Sequence, residues 1–270
     1  MIALSVYPRE GYLRSGDYRL HYLLWGGTGP KIVILHSMGM DAHGFDIFSE
    51  ALHREFQILA FDILDHGDSD KPEKPVTLKD LSEIMRGGYR QLGFIPNVLI
   101  GHSVGGMIGM VLSADHPDDL RGLALVDIAP FDRSDRPRRP SPPESFSSES
   151  EAETYIKQRY PGFTPEAVEN RLKYAFVRGE DSKLRLKGTG ANLSSGLATD
   201  LWPYVERMRT STILILGSES ELVTGEVLER MKKTLPELEV VTVEGATHMV
   251  PQDKPSEFER HIREFLKKIL

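Results

Sequence analysis

Ser103 is the residue of this chain best placed to act as a nucleophile. It stands in Leu99-Ile100-Gly101-His102-Ser103-Val104-Gly105-Gly106, where an apolar run ends in Gly-x-Ser-x-Gly. That arrangement reads as a nucleophile elbow, a turn from strand to helix so sharp that bulky neighbours of the serine would clash. Gly101 and Gly105 remove the clashes, and Gly106 lets the following helix pack close to the sheet. The hydroxyl would project at the corner, beside helix amides and the positive end of a helix dipole. Asn97–Ile100 precedes the motif as a strand and Met107–Leu112 follows it as a helix. The bland alternative is a tight turn carrying an idle serine.

A serine hydroxyl reacts only when a base takes its proton, and the base must itself be oriented. Of the nine histidines, His248 is the best placed, in Gly245-Ala246-Thr247-His248-Met249-Val250-Pro251 between a predicted strand and the last helix. Open parallel sheets build their sites on such loops, at the carboxyl ends of strands. His21, His53, His116 and His261 fall on predicted strand or helix surfaces and read as solvated. His102, next to the nucleophile, faces away from the hydroxyl and reads as a substrate-wall or packing residue.

Three carboxylates follow strands late enough to serve as the acid: Asp127, Glu219 and Glu221. A carboxylate closing an apolar strand is costly to bury unpaired, and an imidazolium would satisfy Asp127. A capping role would satisfy it too. Negative charge developing on an attacked carbonyl also needs donors. The Val104 amide is one candidate. The Met38 amide, in the loop His36-Ser37-Met38-Gly39, is the other. Ser37, His102 and Met249 are then the residues expected to border substrate.

The elements that must position these groups alternate in type, which predicts an α/β fold with a parallel sheet flanked by helices. Strands are expected at Arg19–Trp25, Ile32–His36, Gln57–Asp62, Asn97–Ile100, Gly122–Asp127, Thr212–Gly217 and Glu239–Glu244. Several are nearly continuous Val/Ile/Leu, as strands covered on both faces require. Tyr12-Leu13, before Ser15-Gly16-Asp17, reads as half of a hairpin giving the sheet an antiparallel edge. Helices are expected near Gly44–His53, Leu78–Leu92, Val104–Asp115, Gly225–Thr234 and Pro255–Lys268.

The rhythm breaks between Pro130 and about Asp200. Arg133–Pro143 is proline-rich and charged, an exposed connection. Helix signals follow without strands: a capping box at Ser148–Glu151, Thr164-Pro165 at a helix start, and apolar spacing through Pro165–Val177. Residues 132–200 are therefore expected to form a helical cap inserted between core segments 1–131 and 201–270. Its Phe146, Tyr155, Tyr160, Phe163 and Phe176, with Trp202 beyond it, would line an apolar acyl or aryl pocket or form the cap's own core.

A chain of 270 residues suits one large domain or a core with one insertion. The net charge of −7 argues against nucleic acid or an anionic membrane as main partner. No apolar run approaches the ~20 residues that span a bilayer, and the start lacks a signal-peptide pattern. With no cysteine there is neither disulfide nor thiolate chemistry. The expectation is a cytoplasmic monomer or homodimer acting on a small molecule without a cofactor.

Together these pieces resemble the α/β-hydrolase superfamily over nearly the whole chain. His36-Ser37 corresponds to the family's His-Gly segment, and Asp62-Ile63-Leu64-Asp65-His66-Gly67-Asp68-Ser69 to its Asp-x-x-Gly-His-Gly-x-Ser loop. Gly245–His248, followed by Asp253-Lys254-Pro255, looks like its histidine loop and final helix start. The resemblance implies an eight-stranded, mostly parallel sheet and a Ser-His-acid triad. The usual family acid follows the penultimate strand, where this chain has Ser220. A subgroup of small esterases, similar to YbfF-type and ABHD11-type enzymes, instead takes its acid from a Leu-Val-Asp-Ile-x-Pro segment 24 residues after the serine. Leu125-Val126-Asp127-Ile128-Ala129-Pro130 matches, which selects Asp127 with Glu221 and Glu219 as reserves. Ser37 and Asp65 depart from the pattern near the oxyanion face.

The leading expectation is an esterase acting on acyl esters or lactones. C–C bond hydrolases, hydroxynitrile lyases and haloperoxidases share the fold and motifs, and a triad-bearing ligand receptor is a different class again. A metallohydrolase built on His36, His43, Asp62, Asp65 and His66 matches no ligand spacing.

Overall fold

Alternate residues of the central strands face opposite cores. Val33, Leu35, Leu99, Leu123, Leu125, Leu214 and Leu216 enter one apolar cluster. Ile32, Ile34, Val98, Ile100, Ala124, Val126, Ile213 and Ile215 enter the other. Burial on both faces is what makes these runs continuously apolar rather than alternating. The computed structural model describes residues 8–130, 141–193, 197 and 199–270. The chain start and the Arg133–Pro140 part of the charged connector lie outside the described residues.

The sheet opens with β1 (Arg9–Ser15), β2 (Tyr18–Trp25), β3 (Lys31–Leu35), α1 (Asp46–Leu52) and β4 (Gln57–Phe61). Then come α2 (Leu78–Gln91), β5 (Asn97–His102), α3 (Val104–Asp115) and β6 (Leu120–Val126). After β6 the described residues form α4 (Glu149–Arg159), α5 (Pro165–Tyr174), β7 (Phe176–Arg178) and β8 (Leu184–Leu186). The chain returns through α6 (Trp202–Val205), β9 (Thr212–Gly217), α7 (Gly225–Thr234), β10 (Glu239–Val243), α8 (Val250–Asp253) and α9 (Pro255–Ile269).

Eight strands lie in the order β1-β2-β4-β3-β5-β6-β9-β10. The β1–β2 and β2–β4 pairs are antiparallel and all others parallel. The order reverses between β3 and β5, the kind of switch point outside whose strand carboxyl ends open α/β sheets place their sites. Side chains of α2, α3 and α7 cover one face, and those of α1 and α9 the other. In α9, Phe258, Ile262, Phe265 and Leu266 recur at helical spacing and are all buried. Among the described residues no helix is long and apolar enough to cross a membrane.

Ser148 and Thr164 cap α4 and α5, accepting the Glu151 and Ala167 amides at 3.2 Å each. The segment beyond α5 differs from expectation. The helix ends at Tyr174, and Phe176–Arg178 pairs antiparallel with Leu184–Leu186. The reason is local: Gly179-Glu180-Asp181-Ser182 makes a turn, closed by the Ser182 amide on the Gly179 carbonyl at 2.9 Å. The turn folds the Phe-Val pair back as a strand. Phe146, Phe163 and Phe176 are buried in a third apolar cluster that also takes in Met40 and Met249 from the core loops.

Candidate active site

β5 runs into α3 through Ser103, whose φ of 52° and ψ of −112° put it in a backbone region that non-glycine residues seldom occupy. Its amide is seated on the neighbouring strand, donating to the Val126 carbonyl at 3.1 Å. A Cβ at Gly101 would lie 2.5 Å from the Gly105 carbonyl oxygen, and one at Gly105 2.1 Å from that of Leu35. Both positions therefore exclude any side chain. Ser103 is 6% exposed, and its hydroxyl makes no hydrogen bond among the described residues, to His248 or any other group. Catalytic hydrogen bonds are often unmade before substrate arrives. Val104 opens α3, so its amide lacks an intrahelical acceptor.

At the end of β6, Asp127 is buried, with a left-handed φ of 45°. Its amide donates to Ile215 of β9 at 2.8 Å. Its Oδ2 lies 2.7 Å from His248 Nδ1 and accepts the Ser220 hydroxyl at 2.5 Å. Its Oδ1 accepts the Gly217 amide at 3.2 Å. With Nδ1–H directed at the carboxylate, His248 keeps Nε2 as its basic nitrogen. Glu219 and Glu221 are exposed and neither meets His248. Ser220, at the position where the resemblance expects an acid, is thus a donor to Asp127. Sequence reasoning noted the residue without seeing that role.

His102 is fully buried, with its ring centroid 4.9 Å from that of His248. Its Nε2–H donates to the His248 carbonyl at 2.8 Å. Burial, then the nearby His248, hold it well below the ordinary histidine range. It joins the elbow to the histidine loop.

The loop after β3 is a turn closed by the Met40 amide on the Ser37 carbonyl at 3.0 Å. The Gly39 amide donates to His66 Nε2 at 2.9 Å, while His66 Nδ1–H reaches the Leu64 carbonyl at 2.9 Å. His36 is spent similarly, on the Ser37 carbonyl and the Ile63 amide. Burial brings His36 down to about 3 and lowers His66, so both rings are neutral. Among the described residues the Met38 amide has no acceptor. Ser37 is buried and its hydroxyl has no partner there either.

A family profile of the alpha/beta hydrolase fold matches residues 30–255. The chain belongs to that family. It is similar to 2-(acetamidomethylene)succinate hydrolase of Mesorhizobium japonicum, 28% identical over 236 residues that cover 85% of each chain. It is also similar to the sn-1-specific diacylglycerol lipase ABHD11 of Mus musculus, 27% identical over 92% of this chain and 85% of that one. A crystal structure of E-2-(acetamidomethylene)succinate hydrolase shares the fold with a TM-score of 0.88 at 24% identity, covering 97% of this chain and 100% of that one.

In this α/β hydrolase, Asp62 anchors the loop between β4 and α2. Its carboxylate accepts His21 Nδ1–H at 2.7 Å, the Ala42 amide at 2.7 Å and the Asp68 amide at 2.8 Å. His21 is therefore buried rather than solvated, because its strand neighbours place it against this carboxylate. His21, Asp62 and Asp68 offer potential ligand atoms within 4.8 Å of one another, but His21 Nδ1 is bonded to Asp62 Oδ2 and the Asp68 carboxylate accepts from Lys187 Nζ. The five residues weighed as alternative ligands do not converge: His43 pairs with Asp46 at 2.8 Å. Asp65 accepts the Asn192 amide at 2.7 Å and its side-chain nitrogen at 3.1 Å.

The α4–β8 layer reaches the Ser37–Asp41 turn through Arg171, a residue that sequence reasoning missed. Its Nη1 meets Asp41 Oδ2 at 2.6 Å and its Nη2 donates to the Gly39 carbonyl. A signal was present, since Arg171 lies three residues after Val168 and four before Ala175, on the buried stripe of α5. Of the cap aromatics, Tyr155 and Tyr160 are half-buried at the edge of the third cluster. Trp202 packs elsewhere, against the main core with Arg230 3.6 Å above its ring.

Proposed function

We propose that this α/β hydrolase is a carboxylic ester hydrolase with Ser103 as nucleophile, His248 as base and then acid, and Asp127 as the orienting group. The observation that carries the reading is the 2.7 Å contact between buried Asp127 and His248 Nδ1 beside a strained serine elbow. His248 Nε2 removes the Ser103 proton as the oxygen attacks the acyl carbon. The Met38 and Val104 amides receive the resulting oxyanion, a stabilisation worth roughly 10²–10³ in rate per donor. His248 then protonates the leaving alkoxide, and water attacks the acyl-enzyme by the same route in reverse. Met40 and Met249, in the apolar cluster against which Tyr155 and Tyr160 pack, favour small apolar acyl or aryl groups, as esters or lactones. Ser37 borders the oxyanion in this reading. No cofactor takes part, and the partner is the small-molecule substrate alone.

The test is a panel of p-nitrophenyl esters and lactones with a fluorophosphonate label, including 2-(acetamidomethylene)succinate because a relative acts on it. Burst release of p-nitrophenol and labelling, both lost in Ser103→Ala, are expected. A wild-type protein that is neither labelled nor active on any ester sinks the reading.

A further inference from the structure

The oxyanion turn is gripped from two sides at one residue. Gly39 gives its amide to His66 Nε2 at 2.9 Å, and its carbonyl receives Arg171 Nη2. The other guanidinium arm holds Asp41 Oδ2 at 2.6 Å, two residues further along the same turn. Arg171 is 5% exposed, so its charge is matched almost wholly by these acceptors. A buried guanidinium is unfavourable unless its donors find such partners, which ties α5 to this turn. The Met38 amide lies one residue before the gripped Gly39, in the same turn.

A neighbouring contact acts in the same sense. Gly190 lies so close over the turn that a Cβ there would be 2.0 Å from Met38 Sδ and 2.6 Å from the His66 ring. Its amide donates to the Asp65 carbonyl at 3.1 Å. The turn is thereby covered by the segment that also carries Asn192 onto Asp65.

We propose that Arg171 is a positioning residue: its guanidinium locks the Ser37–Asp41 turn so that the Met38 amide points at the carbonyl oxygen of a substrate held at Ser103. The inference rests on the ester-hydrolase reading above. Arginine suits the task because its planar fork serves a carbonyl and a carboxylate at once, which a lysine ammonium does not. Docking of α5 and completion of the oxyanion hole are then one event. Loss of the lock weakens transition-state binding and leaves ground-state binding nearly intact, a kcat effect rather than a KM effect.

The experiment compares wild type, Arg171→Met, Arg171→Lys and Asp41→Asn on one p-nitrophenyl ester, with amide hydrogen exchange of the 36–41 segment measured on each. For Arg171→Met, kcat should fall about 10²-fold with KM within about 3-fold, the signature of a lost oxyanion donor. Arg171→Lys and Asp41→Asn should fall between it and wild type, and exchange in 36–41 should quicken in the same order. A kcat within about 3-fold of wild type, or a loss carried by KM, overturns the proposal. If Arg171→Met does not fold, Asp41→Asn, which keeps the guanidinium, decides by the same two readouts. An inactive wild type would instead sink the ester-hydrolase reading. Exchange in 36–41 that is then unchanged in the variants sinks the lock as well.

Discussion

The two halves of the site are anchored in different ways. Ser103 and Asp127 stand at the ends of β5 and β6, and their amides are bonded to Val126 and Ile215 on adjoining strands. Their geometry is inherited from a sheet buried on both faces. The Ser37–Asp41 turn also follows a strand, β3, but beyond its own Met40–Ser37 hydrogen bond it is held by side chains: His66, Arg171 and the Asp62 carboxylate on the Ala42 amide. One half is fixed by the backbone ladder. The other is held largely by polar contacts between segments distant in sequence.

The comparison breaks most visibly at the sheet-anchored half. Asp127→Asn should lower kcat by about 10³–10⁴, because the amide leaves His248 in the wrong tautomer. Glu221→Gln should stay within about 2-fold in the same ester assay. A large loss in Glu221→Gln with a small one in Asp127→Asn would move the acid to the other strand.

Acid tests the loop-anchored half. In the unfolded chain His36 takes a proton near pH 6.5, whereas in the fold it does so only at about 3. Between those values the unfolded chain binds more protons, so stability falls as pH drops through the window, by about 1.4 kcal/mol per unit. His66 and His102, also lowered, add to the trend. Urea midpoints measured from pH 7 to 4 should decline, and less steeply in His36→Gln. An identical slope in that variant would remove His36 from the account.

Ser220→Ala sharpens the contrast more gently. It removes one hydroxyl donor from a buried carboxylate that keeps His248 and the Gly217 amide. A hydrogen bond to a charged group is worth about 1.5–3 kcal/mol, so a roughly tenfold or greater fall in kcat is expected from steady-state kinetics. The smallest effect belongs to Lys187→Ala. Lys187 meets Asp68 at 2.6 Å, but both are partly exposed, and such pairs are worth at most about 1 kcal/mol. Thermal unfolding should barely register its loss.

The same division explains what could be read from the chain alone. The strands were legible because two-sided burial writes itself as unbroken Val/Ile/Leu, and the elbow because steric exclusion at Gly101 and Gly105 leaves glycine as the sole solution. Strand ends singled out His248 and left Asp127, Glu219 and Glu221 as candidate acids, among which only the family resemblance chose Asp127. The side-chain contacts were not legible. His21 read as solvated because its partner, Asp62, lies 41 residues away and two strands pair only in the fold. Arg171 drew no reading because its acceptors, the Gly39 carbonyl and Asp41, belong to a turn that no local pattern links to α5. The β7–β8 hairpin did have a local signal, Gly179–Ser182, which the apolar spacing of α5 outweighed.

The Ser220–Asp127 contact bears on how the proposed triad could change during descent. Their oxygens are 2.5 Å apart, so a carboxylate introduced at 220 while Asp127 remained would set two negative charges against each other in a dry pocket. Replacing Asp127 first would leave His248 with no acid at all. Relocating the carboxylate from one strand to its neighbour thus requires crossing an intermediate that holds either both or neither, and lineages on each side of that barrier should keep the arrangement they started with.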